Sequence, residues 1–143
     1  MKSFDINLLL YAANRDAKEH KKAVSFIQEA MQNSQAWVIA DQVYFEIYRL
    51  LRNPVVLGNP LTAREAASVI RFYRMESGFL HCSFESEFME DVLRMMEKPD
   101  FPAARTFDLV LAVTLKRNGV TEFFTKNRKD FLDFNWFQVL DPL

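Results

Sequence analysis

The stretch FDINLLLYAA, Phe4–Ala13, changes pattern within ten residues. Phe4 and Ile6 alternate across Asp5 as a short strand does, and the apolar run from Leu8 to Ala13 then reads as a helix. The acid at the junction has two readings: Asp5 caps the helix that follows, or it stands where a strand runs out into a site.

Downstream the same alternation repeats. His20, Ala23, Val24, Ile27, Ala30 and Met31 recur at spacings of three and four, which predicts an amphipathic helix. Ala36–Ala40 (AWVIA) reads as a buried strand, with Asp41 placed to cap a helix to about Arg52. Thr62-Ala-Arg-Glu65 is a capping box opening a helix to about Met75. Phe79–Cys82 is a short strand, and Phe88, Met89, Val92, Met95 and Met96 mark the next helix. A strongly apolar helix spans Thr106–Leu115, with Gly119 as its C′ residue. Glu122–Thr125 and Phe137–Leu140 complete the strands. Strands alternating with helices at these lengths predict an α/β fold of three layers, with a mainly parallel central sheet flanked by helices. In such sheets the site lies beyond the carboxyl ends of the strands.

Composition narrows the class. The 143 residues are half hydrophobic and include 14 Phe, enough for one core, and no Gly/Ser linker divides residues 1–143 into two domains. No apolar run is long enough for a membrane span, and Asp5 stands where a signal peptide would be apolar. The single Cys, Cys82, excludes an internal disulfide and a thiolate metal site and reads as a buried core thiol. A cytoplasmic chain is expected. Net charge of −1 argues against general polyanion binding, so any nucleic-acid contact must rest on local basic residues.

Three acids break the hydrophobic pattern. Asp108 shares a helical face with Leu111, Ala112 and Leu115, where a charge is costly without a partner. Glu46 repeats the pattern between Val43 and Leu50, and its plain alternative is an ion pair with Arg49 or Arg52. If Asp5, Glu46 and Asp108 converge, their repulsion favours protonation unless a cation neutralises them. Oxygen ligands alone suit Mg²⁺, or Mn²⁺ in its place. His20 and His81 lack zinc-ligand spacing and read as ordinary histidines. Arg49, Lys126 and Arg128 are candidate phosphate contacts, with Arg52 and Lys129 nearby, although composition alone favours a solvated loop for the Lys126–Lys129 group.

These residues resemble a known family. Phe4-Asp5-Ile6-Asn7-Leu8-Leu9-Leu10-Tyr11 is similar to the opening of PIN-domain nucleases, where a strand ends in Asp-x-Asn before an apolar helix. Glu46-Ile-Tyr-Arg-Leu-Leu-Arg-Asn-Pro54 resembles their second motif, Phe107-Asp108-Leu-Val-Leu-Ala112 their third, and Thr125-Lys-Asn127-Arg-Lys-Asp130-Phe131 their fourth. Asp141-Pro142-Leu143 resembles their usual ending, so the likeness runs through the chain in order. Size and ending most resemble the VapC-type toxins of toxin–antitoxin pairs.

The resemblance implies a PIN-like fold and a Mg²⁺-dependent endoribonuclease that is usually dimeric and inhibited by a small antitoxin. By position it makes Asp5 and Asp108 metal ligands, Glu46 a further acid of the site acting directly or through water, and Asn7 a supporting residue. Asn127 stands where relatives often carry an acid, so the fourth carboxylate comes from Asp130 or is missing, and one or two metal ions remain open. Asn127 then serves as a neutral orienting residue, while the plain alternative for Asp130 is a cap on the turn at Phe131–Leu132. Asp41-Gln42 is a second departure, since relatives often carry Ser/Thr or Pro there.

The chemistry expected is hydrolysis of an RNA phosphodiester by a metal-activated water, and the resemblance implies a 5′-phosphate and a 3′-hydroxyl as its products. Receiver domains and haloacid-dehalogenase-like phosphatases also use an Asp at a strand end, but they need a second acid beside it or two residues on, where this chain has Asn7. A PIN-fold binding module without catalysis, or a structure-specific DNA nuclease, is the remaining alternative. Tyr11, Phe45, Tyr48, Phe72 and Tyr73 carry more aromatic surface than their helices need to bury, which points either to a homodimer and an antitoxin interface or to one large aromatic core.

Overall fold

In the computed structural model, which describes residues 1–143, β1 (Lys2–Phe4) ends just before Asp5 and α1 (Ile6–Ala13) begins just after it. The helix starts two residues before the apolar run suggests, because Asp5 itself caps it. Asp5 has extended backbone and its Oδ1 accepts the Ile6 N–H at 2.8 Å. Such a cap satisfies one of the donors that a helix start leaves free.

The remaining elements are α2 (His20–Gln32), β2 (Val38–Ala40), α3 (Asp41–Leu51), α4 (Ala63–Met75), β3 (Leu80–Cys82), α5 (Met89–Met96), α6 (Thr106–Arg117), β4 (Glu122–Phe124) and β5 (Gln138–Leu140). The capping box at α4 is complete: Glu65 N–H donates to Thr62 Oγ1 at 3.2 Å, and Thr62 N–H donates to Glu65 Oε1 at 3.0 Å. At α3 the expectation fails in detail. Ala40 holds the cap position, and Asp41 is the first helical residue, pairing with Arg74 of α4 at 2.9 Å. An acid in a first turn still favours the helix start through the helix dipole. The last helix, α6, runs past Leu115 to Arg117, and Gly119 supplies the left-handed turn after it at φ 77°.

All strand pairs are parallel. One sheet runs β1-β4-β5 and the other β2-β3, and a single parallel bridge between Lys2 and Trp37 joins them. The strand order is therefore 3-2-1-4-5, with the direction of travel reversing at β1. Parallel crossovers are right-handed, so the helices before and after the reversal cover opposite faces. The contacts agree: α1 packs on α2 and α3, α3 on α4, and α5 on α6.

Phe4, Ile39 and Phe123 from β1, β2 and β4 are fully buried in one continuous hydrophobic cluster with Leu8, Ile47, Leu109 and Leu115. From Leu111 to Leu115 every residue of α6 is buried, as expected of a helix apolar all round. At the turn into β3, Gly78 has φ +83°, and a Cβ there would stand 2.5 Å from Ser34 Oγ, so any other residue is strained and must displace Ser34. No helix is long and apolar enough to cross a membrane.

Candidate functional site

In a parallel sheet the site is expected beyond the carboxyl ends of the strands where the order reverses, here at β1 and β4. Phe4 pairs with Phe124, so the next residues, Asp5 and Thr125, emerge side by side although they lie far apart in sequence. Thr125 Oγ1 donates to Asp5 Oδ2 at 2.8 Å. Asn7 Nδ2 donates to both Asp5 Oδ2 and Thr125 Oγ1 at 3.1 Å, while Asn7 Oδ1 accepts the Lys126 N–H at 3.1 Å. The Asn127 N–H completes Thr125, reaching its Oγ1 at 3.0 Å. A hydroxyl has one proton to give and two lone pairs, so Thr125 is fully committed and its proton points at Asp5. Asp5 thus combines both of its readings: one oxygen caps α1, and the other is held by Asn7 and Thr125.

Electrostatically Asp5 is held against its own charge. Burial pushes its pKa up from 3.8 to about 6 despite the hydrogen bonds from Thr125 and Ile6, and the charges of Glu46 and Asp108 push it further in that direction. Burial also raises Asp108; the charges of Asp130 and Glu46 add to the rise, and Arg105 opposes it. The charges of Glu46 and Asp108 therefore reach Asp5, and those of Asp130 and Glu46 reach Asp108. The seven ion pairs of the fold engage none of them. Arg105, the nearest cation in effect, is taken up elsewhere: it grips Asp133 through two bonds of 2.6 and 2.7 Å and donates to the Asp130 carbonyl.

The other candidates divide. Glu46 is not paired with Arg49 or Arg52; its Oε1 accepts from Gln42 at 3.0 Å, and Arg52 bonds the Tyr48 hydroxyl instead. Arg49, Asn127, Arg128 and Lys129 are exposed, and no hydrogen bond involves the Asn127 side chain. Lys126 pairs with Asp141 at 3.4 Å. Asp130 lies in the short turn Arg128–Asp130, where its carboxylate makes no capping hydrogen bond to the next turn. His20 bonds the Tyr11 carbonyl and His81 the Tyr44 hydroxyl, both remote from the crevice acids in their contacts. Cys82 is half-buried and free, and burial pushes its thiol up to about 12. No three His, Cys, Asp or Glu side chains close into a metal-sized cage.

Three residues of this region lie outside the set the sequence suggests. Thr125 looks like a strand residue until the strand is seen to end at Phe124. Arg105 orders the turn that carries Asp130, and Gln42 reaches from α3 to both Glu46 and the start of α6.

No protein-family model matches the sequence. Over 143 residues the chain is 38% identical to Ribonuclease VapC24 of Mycobacterium tuberculosis, in each of two strains, which covers 100% of this chain and 97% of the relative. Among solved structures, VapBC2 from Rickettsia felis, bound to a DNA fragment from its promoter, superposes with a TM-score of 0.68 at 13% identity, covering 98% of this chain and 97% of that one. A toxin–antitoxin complex from Klebsiella pneumoniae gives 0.62 at 17% identity, covering 100% and 98%. At such identities the structural likeness speaks for the fold alone.

Proposed function

The chain belongs to the VapC ribonuclease family, and from that premise we propose that it is the toxin of a toxin–antitoxin pair, a Mg²⁺-dependent endoribonuclease with its site at Asp5, Glu46 and Asp108. The observation that carries the reading is a group of acids with no protein cation paired to any of them, one of them buried and pushed to about 6. Asp5 and Asp108 would hold a divalent cation, whose charge would offset that penalty. An oxygen-only donor set fits Mg²⁺, which binds through one or two carboxylates and completes its shell with waters and substrate phosphates, so no closed cage is needed. Mn²⁺ fits the same oxygens.

Once bound, the cation supplies a Lewis acid for the scissile phosphate and activates the attacking water. Asp5 holds its side of the site rigidly, because three hydrogen bonds fix its carboxylate and Asn7 ties α1 to the end of β4. Glu46 and Asp130 sit around this pair as further acids that orient water. The exposed Arg49 and Arg128 lie free to meet phosphates flanking the cut, which positions RNA without reading its sequence. Lys126 must first leave Asp141 to do so. The test is cleavage of RNA with Mg²⁺, with EDTA, and with Mg²⁺ restored. Cleavage that survives EDTA sinks the metal assignment, and no cleavage under any condition sinks the enzyme.

Asp130 has its own test. Asp130→Asn is expected to weaken Mg²⁺ affinity about 10–100-fold, as loss of a group orienting the metal's surroundings does. An unchanged metal titration removes Asp130 from the site; because its carboxylate caps no turn, little stability is lost in either case.

For partners, α1 and α4 leave an apolar groove of about 390 Å³ walled by Leu9, Ala12, Val69, Phe72 and Tyr73. It lies along the helix that Asp5 caps, which suits an antitoxin segment that buries apolar side chains and sends a basic one toward the acids. On α3 Phe45 is 72% exposed, and on α4 Met75 is 75% exposed and lines a shallow groove with Tyr48 and Ile70. Aromatic and Met surface of this kind suits a homodimer. Sedimentation is expected to give a dimer mass at micromolar concentration, and a monomer mass at every concentration removes the dimer. The cytoplasm, where RNA and antitoxin are both available, is the proposed location.

A further inference from the structure

We infer that Gln42 is a positioning residue that locks Glu46 to the start of α6 and so sets where Glu46 stands relative to Asp108; this rests on the acid site proposed above. Gln42 lies four residues before Glu46 on α3, so the two side chains share a face. Its amide nitrogen carries two hydrogens, and both are used: one reaches Glu46 Oε1 at 3.0 Å, the other the Phe107 carbonyl at 2.9 Å. Phe107 is the residue before Asp108 in α6. One side chain therefore ties a carboxylate of one helix to the backbone that carries the facing carboxylate of another. A carbonyl has two lone pairs, so Phe107 accepts this bond without giving up its helical one.

The bond to Glu46 is charge-assisted, and Gln42 is its only hydrogen-bond donor. Around Glu46 the charges acting across the crevice are those of Asp5 and Asp108, and no Lys or Arg pairs with it. Without Gln42, repulsion turns this half-exposed carboxylate out toward water, where solvation is free. Gln42 holds it inward before any cation arrives. A shorter hydroxyl side chain at this position cannot span from α3 to α6, so the Gln departs from a simple helix-start residue for a reason visible in its two bonds.

The decisive variant is Gln42→Met, which keeps length and helix propensity but donates nothing, with Gln42→Glu as a second that replaces the donor by an acceptor. Mn²⁺ binding by calorimetry, RNA cleavage kinetics, and thermal unfolding in EDTA are measured for both and for the parent protein. Expected are Mn²⁺ affinity lowered about tenfold or more, kcat lowered with KM for RNA unchanged, and unfolding in EDTA unchanged for Gln42→Met. Gln42→Glu also removes the donor, but its added carboxylate by itself favours a cation, so this variant is read by kcat, expected to fall as in Gln42→Met. If Gln42→Met does not fold, the kcat of Gln42→Glu carries the comparison. Parental Mn²⁺ affinity in folded Gln42→Met, or parental kcat in Gln42→Glu, overturns the role of Gln42 and leaves the acid site standing. A parent protein that neither binds Mn²⁺ nor cleaves RNA overturns both.

Discussion

Asp5→Asn is expected to lower metal-dependent RNA cleavage by about 10²–10⁴-fold and, in the same protein without metal, to raise stability at neutral pH. The first effect follows from removing a charge that helps hold the cation; several kcal/mol of transition-state stabilisation are lost, at tenfold per 1.36 kcal/mol. The second follows from the position of the carboxylate. Its pKa in the fold is raised from 3.8 to about 6, mainly by burial. A raised carboxylate contributes stability fully below its unfolded pKa and loses that contribution as pH climbs through the folded value. The rise from 3.8 to about 6 corresponds to about 3 kcal/mol lost by pH 7. The Asn side chain escapes this loss, yet it gives one of the donors at Ile6, Asn7 or Thr125 a poorer partner, which takes back about 1–2 kcal/mol. Urea unfolding in EDTA is therefore expected to find the variant no more stable than the parent near pH 4, and more stable by about 1–2 kcal/mol near pH 7.5. Retained cleavage refutes the role in the site, and a variant less stable at pH 7.5 refutes the buried charge.

Asp108→Asn is expected to reduce cleavage by about 10²–10³-fold on the same grounds, with a different signature in the fold. Asp108 is only half-buried and its carboxylate caps nothing, so stability without metal changes less than in Asp5→Asn. Its charge is one of those that raise Asp5. Removing it lets Asp5 ionise at lower pH, a shift readable from the Asp5 carboxyl carbon by NMR titration in EDTA. If that titration does not move, the two acids do not share a crevice. If cleavage survives at parental rates, Asp108 is no part of the machinery.

Much of the candidate site is legible in the sequence because its acids violate local rules. Asp5 interrupts a strand-to-helix junction and Asp108 sits on an apolar helix, and each is conspicuous against its own neighbours. The helix starts read equally well where the cap is a matter of adjacent residues, as at Thr62 and Glu65. What the sequence hides are partners chosen by the fold. Thr125 meets Asp5 across the parallel pairing of β1 with β4, Gln42 meets Phe107 between two helices, and Arg105 meets Asp133 across two turns. A polar residue at a strand end, in a helix first turn or in a loop satisfies every local expectation, so nothing marks it. Asp41 shows the converse: its local pattern suggests a cap, and a neighbouring helix supplies Arg74 as a stronger partner.

The place of β1 in the sheet has a consequence for the order of events at synthesis. β1 is made well before its neighbour on one side, β4, which begins at Glu122, and the hydroxyl that steadies Asp5 belongs to Thr125. Pairings so distant in sequence form late, because the loop they close must be organised before the contact returns anything. A growing chain therefore carries Asp5 for 120 residues before Thr125 is made, so the acid exists on the ribosome long before the hydroxyl that holds it.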